Sequence, residues 1–137
     1  MINMELPIYW QEKKDKNVLV SMNKYRNYPY FTQNRLKRDY HSLIKSYILK
    51  WKFKPLGAGY EIRYKLYYKN SNCDMANIIS MIDKFLNDAL KENGIIADDN
   101  VKIYKRITGE VAGQDKQNPR VEIEVKEIEK NGSTERI

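Results

Sequence analysis

Acidic residues stand at both ends of one strongly amphipathic segment. Asp74 precedes the segment, Asp98 and Asp99 follow it, and the apolar residues between them recur at i, i+3, i+4 and i+7. This spacing predicts a helix of about 16 residues, roughly 24 Å long, that packs one face on a core. About seven extended residues after the helix could return the chain by roughly 23 Å. If the chain doubles back in this way, the three carboxylates meet and could hold a hard divalent cation such as magnesium.

The same residues have a simpler interpretation. Asp74 is a suitable N-cap for the helix, and Asp98, Asp99 and Asn100 have the composition of an ordinary turn. Acid-rich turns are common, so the spacing by itself favours a cap and a turn over a metal site. On spacing, both interpretations stay open.

A longer motif runs through the segment. It comprises Asp74-Met75-Ala76-Asn77, then Lys84 and Asp88, and then Gly94-Ile95-Ile96-Ala97-Asp98-Asp99. This motif resembles the RusA family of Holliday junction resolvases, in particular the versions from phages and prophages of Gram-positive bacteria. The family pattern is Asp-x-Asp-Asn, a helix with a Lys and an Asp four residues later, and an Asp-Asp pair before a strand. The resemblance covers residues 60–126 well and the N-terminal third more loosely.

The resemblance implies a function and a set of site residues. It implies a homodimeric endodeoxyribonuclease that resolves four-way DNA junctions during DNA recombination and repair. Asp74, Asp98 and Asp99 would hold magnesium, with manganese as a possible substitute, and Asn77 would contact DNA. The metal would activate a water against a backbone phosphate, and Lys84, as the catalytic lysine, would offset charge on the phosphoryl oxygens.

One residue departs from the family pattern. Ala76 stands where the family has the second Asp, and a methyl group offers no oxygen ligand. The helix is also about one turn longer between Ala76 and Lys84 than in shorter family members. Impaired cleavage is therefore expected. The alternative is a RusA-like protein without nuclease activity, which binds DNA or engages another phage or host protein.

Composition sets the class of protein. The 137 residues suffice for one domain, assigned to residues 1–128, with residues 129–137 predicted to be a flexible tail. The chain carries 25 Lys and Arg against 18 Asp and Glu, a net charge of +7, which favours a polyanionic partner such as DNA.

Without a leader or a run of 18 apolar residues, no membrane segment is expected. A single cysteine, Cys73, fits a reducing cytoplasm.

Residues 17–31 form a second informative stretch. Lys24 and Arg26 alternate there with asparagines and tyrosines, a mixture that contacts phosphates and stacks on bases. Lys24 and Arg26 are therefore predicted to position a DNA backbone. The alternative is a loop that its tyrosines pin to the core, because an aromatic ring serves both purposes.

Hydrophobic periodicity predicts the elements that must hold these residues. Strands are expected at 3–9, with Pro7 marking an edge strand, and at 60–69, 101–108 and 120–128. Besides the helix after Asp74, a helix over 33–50 is expected with Thr32 as its N-cap. Residues 11–17 and 109–118 are expected to be loops. The predicted fold is α+β, a mixed and mostly antiparallel sheet of about four strands with two packed helices.

Overall fold

The computed structural model describes residues 1–128. Its elements in chain order are β1 (Ile2–Pro7), β2 (Tyr9–Lys13), β3 (Lys16–Leu19), α1 (Met22–Asn27), α2 (Tyr30–Trp51), β4 (Gly59–Tyr68), α3 (Met75–Glu92), β5 (Tyr104–Gln114) and β6 (Arg120–Ile128). The predicted α+β class and single domain are confirmed. The predicted flexible tail lies outside the described residues. Within residues 1–128, no helix has the length and apolar character needed to cross a membrane.

The main sheet has the strand order β1-β6-β4-β5. The β1–β6 and β6–β4 pairs are antiparallel and the β4–β5 pair is parallel, so the predicted mixed and mostly antiparallel sheet is confirmed. Alternate residues of β4 are buried against the helices: Tyr60, Ile62, Tyr64 and Leu66. Pro7 lies on edge strand β1 as predicted, since proline has no N–H to give to a second neighbour.

Helix α3 connects the two parallel strands and covers the sheet. Its buried residues include Ile78, Ile82, Phe85 and Leu86, as the apolar periodicity predicts. Strands β4 and β5 are parallel neighbours, so both must begin at the same end of the sheet. Helix α3 therefore carries the chain back along the full length of β4 before β5 begins. Gly109 on β5 lets the helix approach closely, because a Cβ there would lie 2.9 Å from the Ile79 side chain.

The N-terminal part of the chain corrects two predictions. Residues 11–17 were expected to be a loop but belong to the β2–β3 hairpin, a separate two-stranded sheet that turns at Asp15 with a φ of 64°. Each of its strands is too short to show clear alternation. The stretch after it, for which a loop was the alternative interpretation, contains α1, and Ser21 caps this helix by accepting a hydrogen bond from the Lys24 backbone N–H at 3.3 Å.

Two element boundaries also differ from the prediction. The N-cap of α2 is Pro29 and not Thr32, because the Pro29 carbonyl accepts from both the Thr32 and Gln33 N–H groups at 3.0 Å. Strand β5 begins at Tyr104, after a turn in which the Asn100 carbonyl accepts from the Ile103 and Tyr104 N–H groups. It then continues to Gln114, through residues that were expected to form a loop. This part contains glycines and lacks the alternation of a strand, but pairing with β4 satisfies its backbone hydrogen-bonding groups.

Candidate nucleic-acid interface

The short helix α1 lies between the hairpin and the N-terminal turn of α3. On its inner side, the Tyr25 ring meets the Phe85 ring edge-on, with centroids 5.6 Å apart. The side-chain oxygen of Asn77 accepts a hydrogen bond from the Asn23 backbone N–H at 3.2 Å. Lys24 and Arg26 are exposed on the outer side. The structure therefore brings Lys24 and Arg26 to the end of α3 that carries Asn77.

The β2–β3 hairpin is fixed to the body of the domain by Trp10. The indole Nε1 donates to the Asp39 carboxylate on α2 at 2.8 Å, and the Arg35 guanidinium lies 4.4 Å above the ring. Arg35 also donates to the Glu12 carbonyl. Lys69 at the end of β4 lies over the Tyr9 ring at 5.4 Å, so the hairpin starts at the same end of the sheet as α3. The exposed lysines near its turn are Lys13, Lys14 and Lys16.

A cleft of about 450 Å³ separates the hairpin from α1. Its polar lining consists of Lys16, Lys24, Asn23, Asn27, Tyr28 and Glu12. Glu12 is already neutralised, because its carboxylate accepts from the Tyr28 hydroxyl at 2.8 Å and pairs with Lys16 Nζ at 3.1 Å. The hydrogen bond from Tyr28 lowers the pKa of Glu12, and burial together with this bond raises the pKa of Tyr28 to about 12. The Lys24 charge has no such partner in the lining, so the cleft favours an anion.

The aromatic residues of this region divide into two groups. Tyr25 and Tyr28 pack inward, against Phe85 and Trp10 respectively, which confirms the core-anchoring interpretation for these two rings. Tyr30 and Phe31 are 77% and 73% exposed. Binding of bases by this stretch stays a prediction, and these two rings are the ones free to do it.

Asp74 caps α3. Its Oδ1 accepts from the Ala76 N–H at 3.1 Å and from the Asn77 N–H at 3.4 Å. Asp98 lies in a turn, where its carboxylate accepts from the Asp99 N–H at 2.8 Å, Asn100 Nδ2 at 3.0 Å and Lys91 Nζ at 3.2 Å. The bond from the Asp99 N–H, followed by those from Lys91 and Asn100, lowers the pKa of Asp98. Asp74 is therefore a helix cap and Asp98 a turn residue, as in the simpler interpretation of the sequence.

Asp98 and Asp99 were expected to meet Asp74 if the chain doubles back after α3, and within one chain this expectation is wrong. The 18 residues of α3 span about 27 Å. Asp74 is the N-cap immediately before this span, whereas Asp98 contacts Lys91 in its last turn. Because β5 pairs parallel to β4, the chain enters β5 where α3 ends and does not double back toward Asp74.

The residues predicted to hold magnesium therefore do not form its site in a single chain. Within residues 1–128, no three His, Cys, Asp or Glu side chains are grouped to hold a metal ion. Ala76 adds no oxygen beside Asp74. The predicted catalytic residue Lys84 lies on the exposed face of α3 between these ends, with Nζ 3.5 Å from Asp88. Magnesium binding by this protein stays a prediction without a geometric basis in one protomer.

A buried polar cluster escaped the sequence analysis. The Tyr64 and Tyr104 hydroxyls each donate to Asp83 Oδ1 at 2.7 Å, and Asn87 Nδ2 donates to the same oxygen at 3.0 Å. The Tyr60 hydroxyl donates to Asn87 Oδ1. Burial raises the pKa of Asp83, and the Asp99 charge adds to this. The signal in the sequence was a carboxylate within the apolar stripe of α3, opposite a strand with alternating tyrosines.

Comparison with known proteins adds no assignment, since no protein-family model and no curated protein sequence matches this chain.

Proposed function

We propose that this chain is a DNA-binding domain that holds the backbone of branched DNA. The contact surface, termed here the hairpin–α1 surface, consists of Lys13, Lys14, Lys16, Lys24 and Arg26. The observation that carries this proposal is the seating of α1 against both the hairpin and α3, which places two elements with five exposed cations side by side. Lysine and arginine side chains grouped in this way neutralise phosphates and release counterions.

The shapes of the two elements suit a duplex. A two-stranded ribbon is narrow enough to enter the major groove, and cations beside it contact the flanking phosphates. The cleft has Lys16 on its hairpin side and Lys24 on its α1 side, and because Lys16 already pairs with Glu12, Lys24 is the cation that remains for a phosphate. Asn77 supports this surface indirectly, because its side-chain oxygen is engaged by the Asn23 N–H.

The preference for branched DNA comes from the RusA resemblance. A four-way junction has two-fold symmetry, and a homodimer would present two hairpin–α1 surfaces to it, one for each pair of arms. A two-fold dimer is also the commonest oligomer geometry. The charge of +7 on each chain provides the attraction for a compact polyanion of this kind.

Magnesium-dependent junction cleavage is the second candidate function. The observation that favours it is that Asp74 caps α3 next to Asn77, which contacts α1, so a phosphate on the hairpin–α1 surface would lie near one motif carboxylate. Within residues 1–128, Ala76 and the distant position of Asp98 leave the Asp74 carboxylate without a second acid of the motif beside it. Binding with little cleavage is therefore the function that we propose.

A binding and cleavage assay tests both candidates. Fluorescence anisotropy would compare a labelled four-way junction with a duplex of equal length over a range of salt concentrations, and gels would follow cleavage with magnesium. We expect tighter binding to the junction, a steep loss of affinity with salt and little cleavage. Absence of binding at low salt would exclude the proposal, and equal affinities for the two DNAs would exclude the preference for branches. Efficient cleavage would favour the second candidate.

A further inference from the structure

We propose that Tyr30 and Phe31 stack on unpaired bases, so that the preferred ligand is DNA with bases exposed at a branch or a gap. This inference rests on the proposed DNA-binding function and specifies its ligand. The rings are 77% and 73% exposed and occupy consecutive positions in the first turn of α2. Exposed aromatic rings beside a basic surface are the arrangement by which proteins bind single strands.

The two rings are held on a rigid support. Helix α2 is anchored in the core by Leu36 and Tyr40, and Tyr40 stacks on Phe85 of α3 with centroids 5.3 Å apart. At the start of the helix, Gln33 Nε2 donates to the Tyr25 carbonyl at 2.7 Å, which ties the first turn to α1. Tyr30 and Phe31 are therefore presented at a fixed position relative to Lys24 and Arg26.

The surrounding charge selects nucleic acid as the occupant. Residues 16–38 contain six cations and no acidic residue. Of those six, Lys16 pairs with Glu12 and Arg35 lies over the Trp10 ring, so the cations that remain for phosphates are Lys24, Arg26, Lys37 and Arg38. A nucleic-acid strand matches both features, because its phosphates meet the cations while its bases offer flat faces to the rings. Bases inside an intact duplex are already stacked on both faces, so unpaired bases with open faces are the ones that suit this position.

Trp51 at the opposite end of α2 provides a matched control. Its ring is 59% exposed and already has a cation partner, since Lys50 Nζ lies 5.2 Å from its centroid. Removal of an exposed aromatic ring from this end of the same helix should leave DNA binding unchanged. The comparison separates a local effect of Tyr30 and Phe31 from a general effect of surface aromatic groups.

The test measures the affinity of the intact chain for three labelled DNAs of equal length: a full duplex, a duplex with a central gap of several nucleotides and a single strand. The variants are Tyr30→Ala with Phe31→Ala, the same positions replaced by Leu, Phe31→Trp, and Trp51→Ala. We expect both double variants to lose about tenfold or more in affinity for gapped DNA and little for duplex. Phe31→Trp should retain the preference and show fluorescence quenching by gapped DNA, and Trp51→Ala should behave as the unmodified chain.

Three results would overturn the inference. The first two are unchanged affinity for gapped DNA in both double variants and equal losses for gapped and full duplex. The third comes from a parallel titration with vesicles that contain phosphatidylserine, and it is binding to these vesicles in place of any preference for unpaired bases. Failure of the proposed function itself has a different signature, in which the unmodified chain binds none of the three DNAs at low salt.

Discussion

The Asn77 side-chain oxygen accepts a hydrogen bond from the Asn23 backbone N–H at 3.2 Å. This contact joins α1 to the first turn of α3, although the two residues lie 54 positions apart in the chain. A motif residue of the central helix thereby fixes the orientation of the short basic helix. We therefore regard Asn77 as a residue that positions the hairpin–α1 surface.

Asn77→Leu should weaken DNA binding by loosening α1. The variant loses one exposed hydrogen bond, which contributes about 1 kcal/mol to stability, while all cations remain. We expect a several-fold loss of junction affinity with a small decrease in the melting temperature, measured by anisotropy and circular dichroism. Ser80→Ala, an exposed change one turn further along α3, serves as the control. If Asn77→Leu binds the junction as tightly as this control does, the contact with Asn23 is irrelevant to DNA binding.

Ala76→Asp should not restore efficient cleavage. The new carboxylate would stand beside Asp74, but Asp98 and Asp99 follow the other end of α3, about 27 Å along the helix axis. We expect the variant to fold, to bind the junction somewhat more weakly because of the added negative charge, and to leave a labelled four-way junction uncut in magnesium or manganese. The opposite outcome, with magnesium-dependent cleavage that Asp99→Asn then abolishes, would indicate that the acidic ends meet between two chains.

Asp83 should make stability depend on pH. Its pKa is raised in the folded protein, mainly by burial, so folding favours the protonated carboxyl group. Asp83 increases the free energy of unfolding fully at pH values below its unfolded pKa, near 3.9. That increase is lost as the pH rises through the folded pKa. Asp83→Asn keeps an oxygen that can accept from Tyr64 and Tyr104 but removes the charge.

The Asp83→Asn variant should therefore gain stability relative to the unmodified chain as the pH rises from 4 toward 7. Urea denaturation at several pH values measures this difference. Asp88→Asn, which removes a partly exposed carboxylate from the same helix, serves as the control with an equal change of charge. A difference between Asp83→Asn and the unmodified chain that stays constant over this range would contradict a raised pKa for Asp83 in the folded protein.

Much of the fold could be predicted from the sequence because long periodic segments carry their own signal. The alternation of β4 and the apolar stripe of α3 repeat over enough residues to specify both the element and its buried face. The hairpin was missed because its strands contain five and four residues, too few to show a period. Strand β5 was misplaced because its pairing with β4, and not its own composition, defines its length.

The candidate site was harder to predict because it depends on contacts between distant residues. Spacing along the chain could not reveal that β4 and β5 are parallel, and this single fact separates Asp98 from Asp74. Lys24 and Arg26 were identified as a possible DNA contact from their surroundings in the sequence. Their position beside the hairpin lysines depends on the Asn23–Asn77 bond and on the bond between Tyr28 and Glu12, neither of which has a local signature.

The salt dependence of junction binding tests the hairpin–α1 surface most directly. The measurement compares the unmodified chain, Lys24→Ala with Arg26→Ala, and a control of equal charge change, Lys102→Ala with Lys105→Ala. The control residues are exposed near the start of β5, where α3 ends. If both cations of α1 contact phosphates, the slope of log K against log salt should fall by about two in the first variant. The control should keep the slope of the unmodified chain. Equal slopes in all three proteins, or an equal reduction in both variants, would contradict the assignment of DNA binding to this surface.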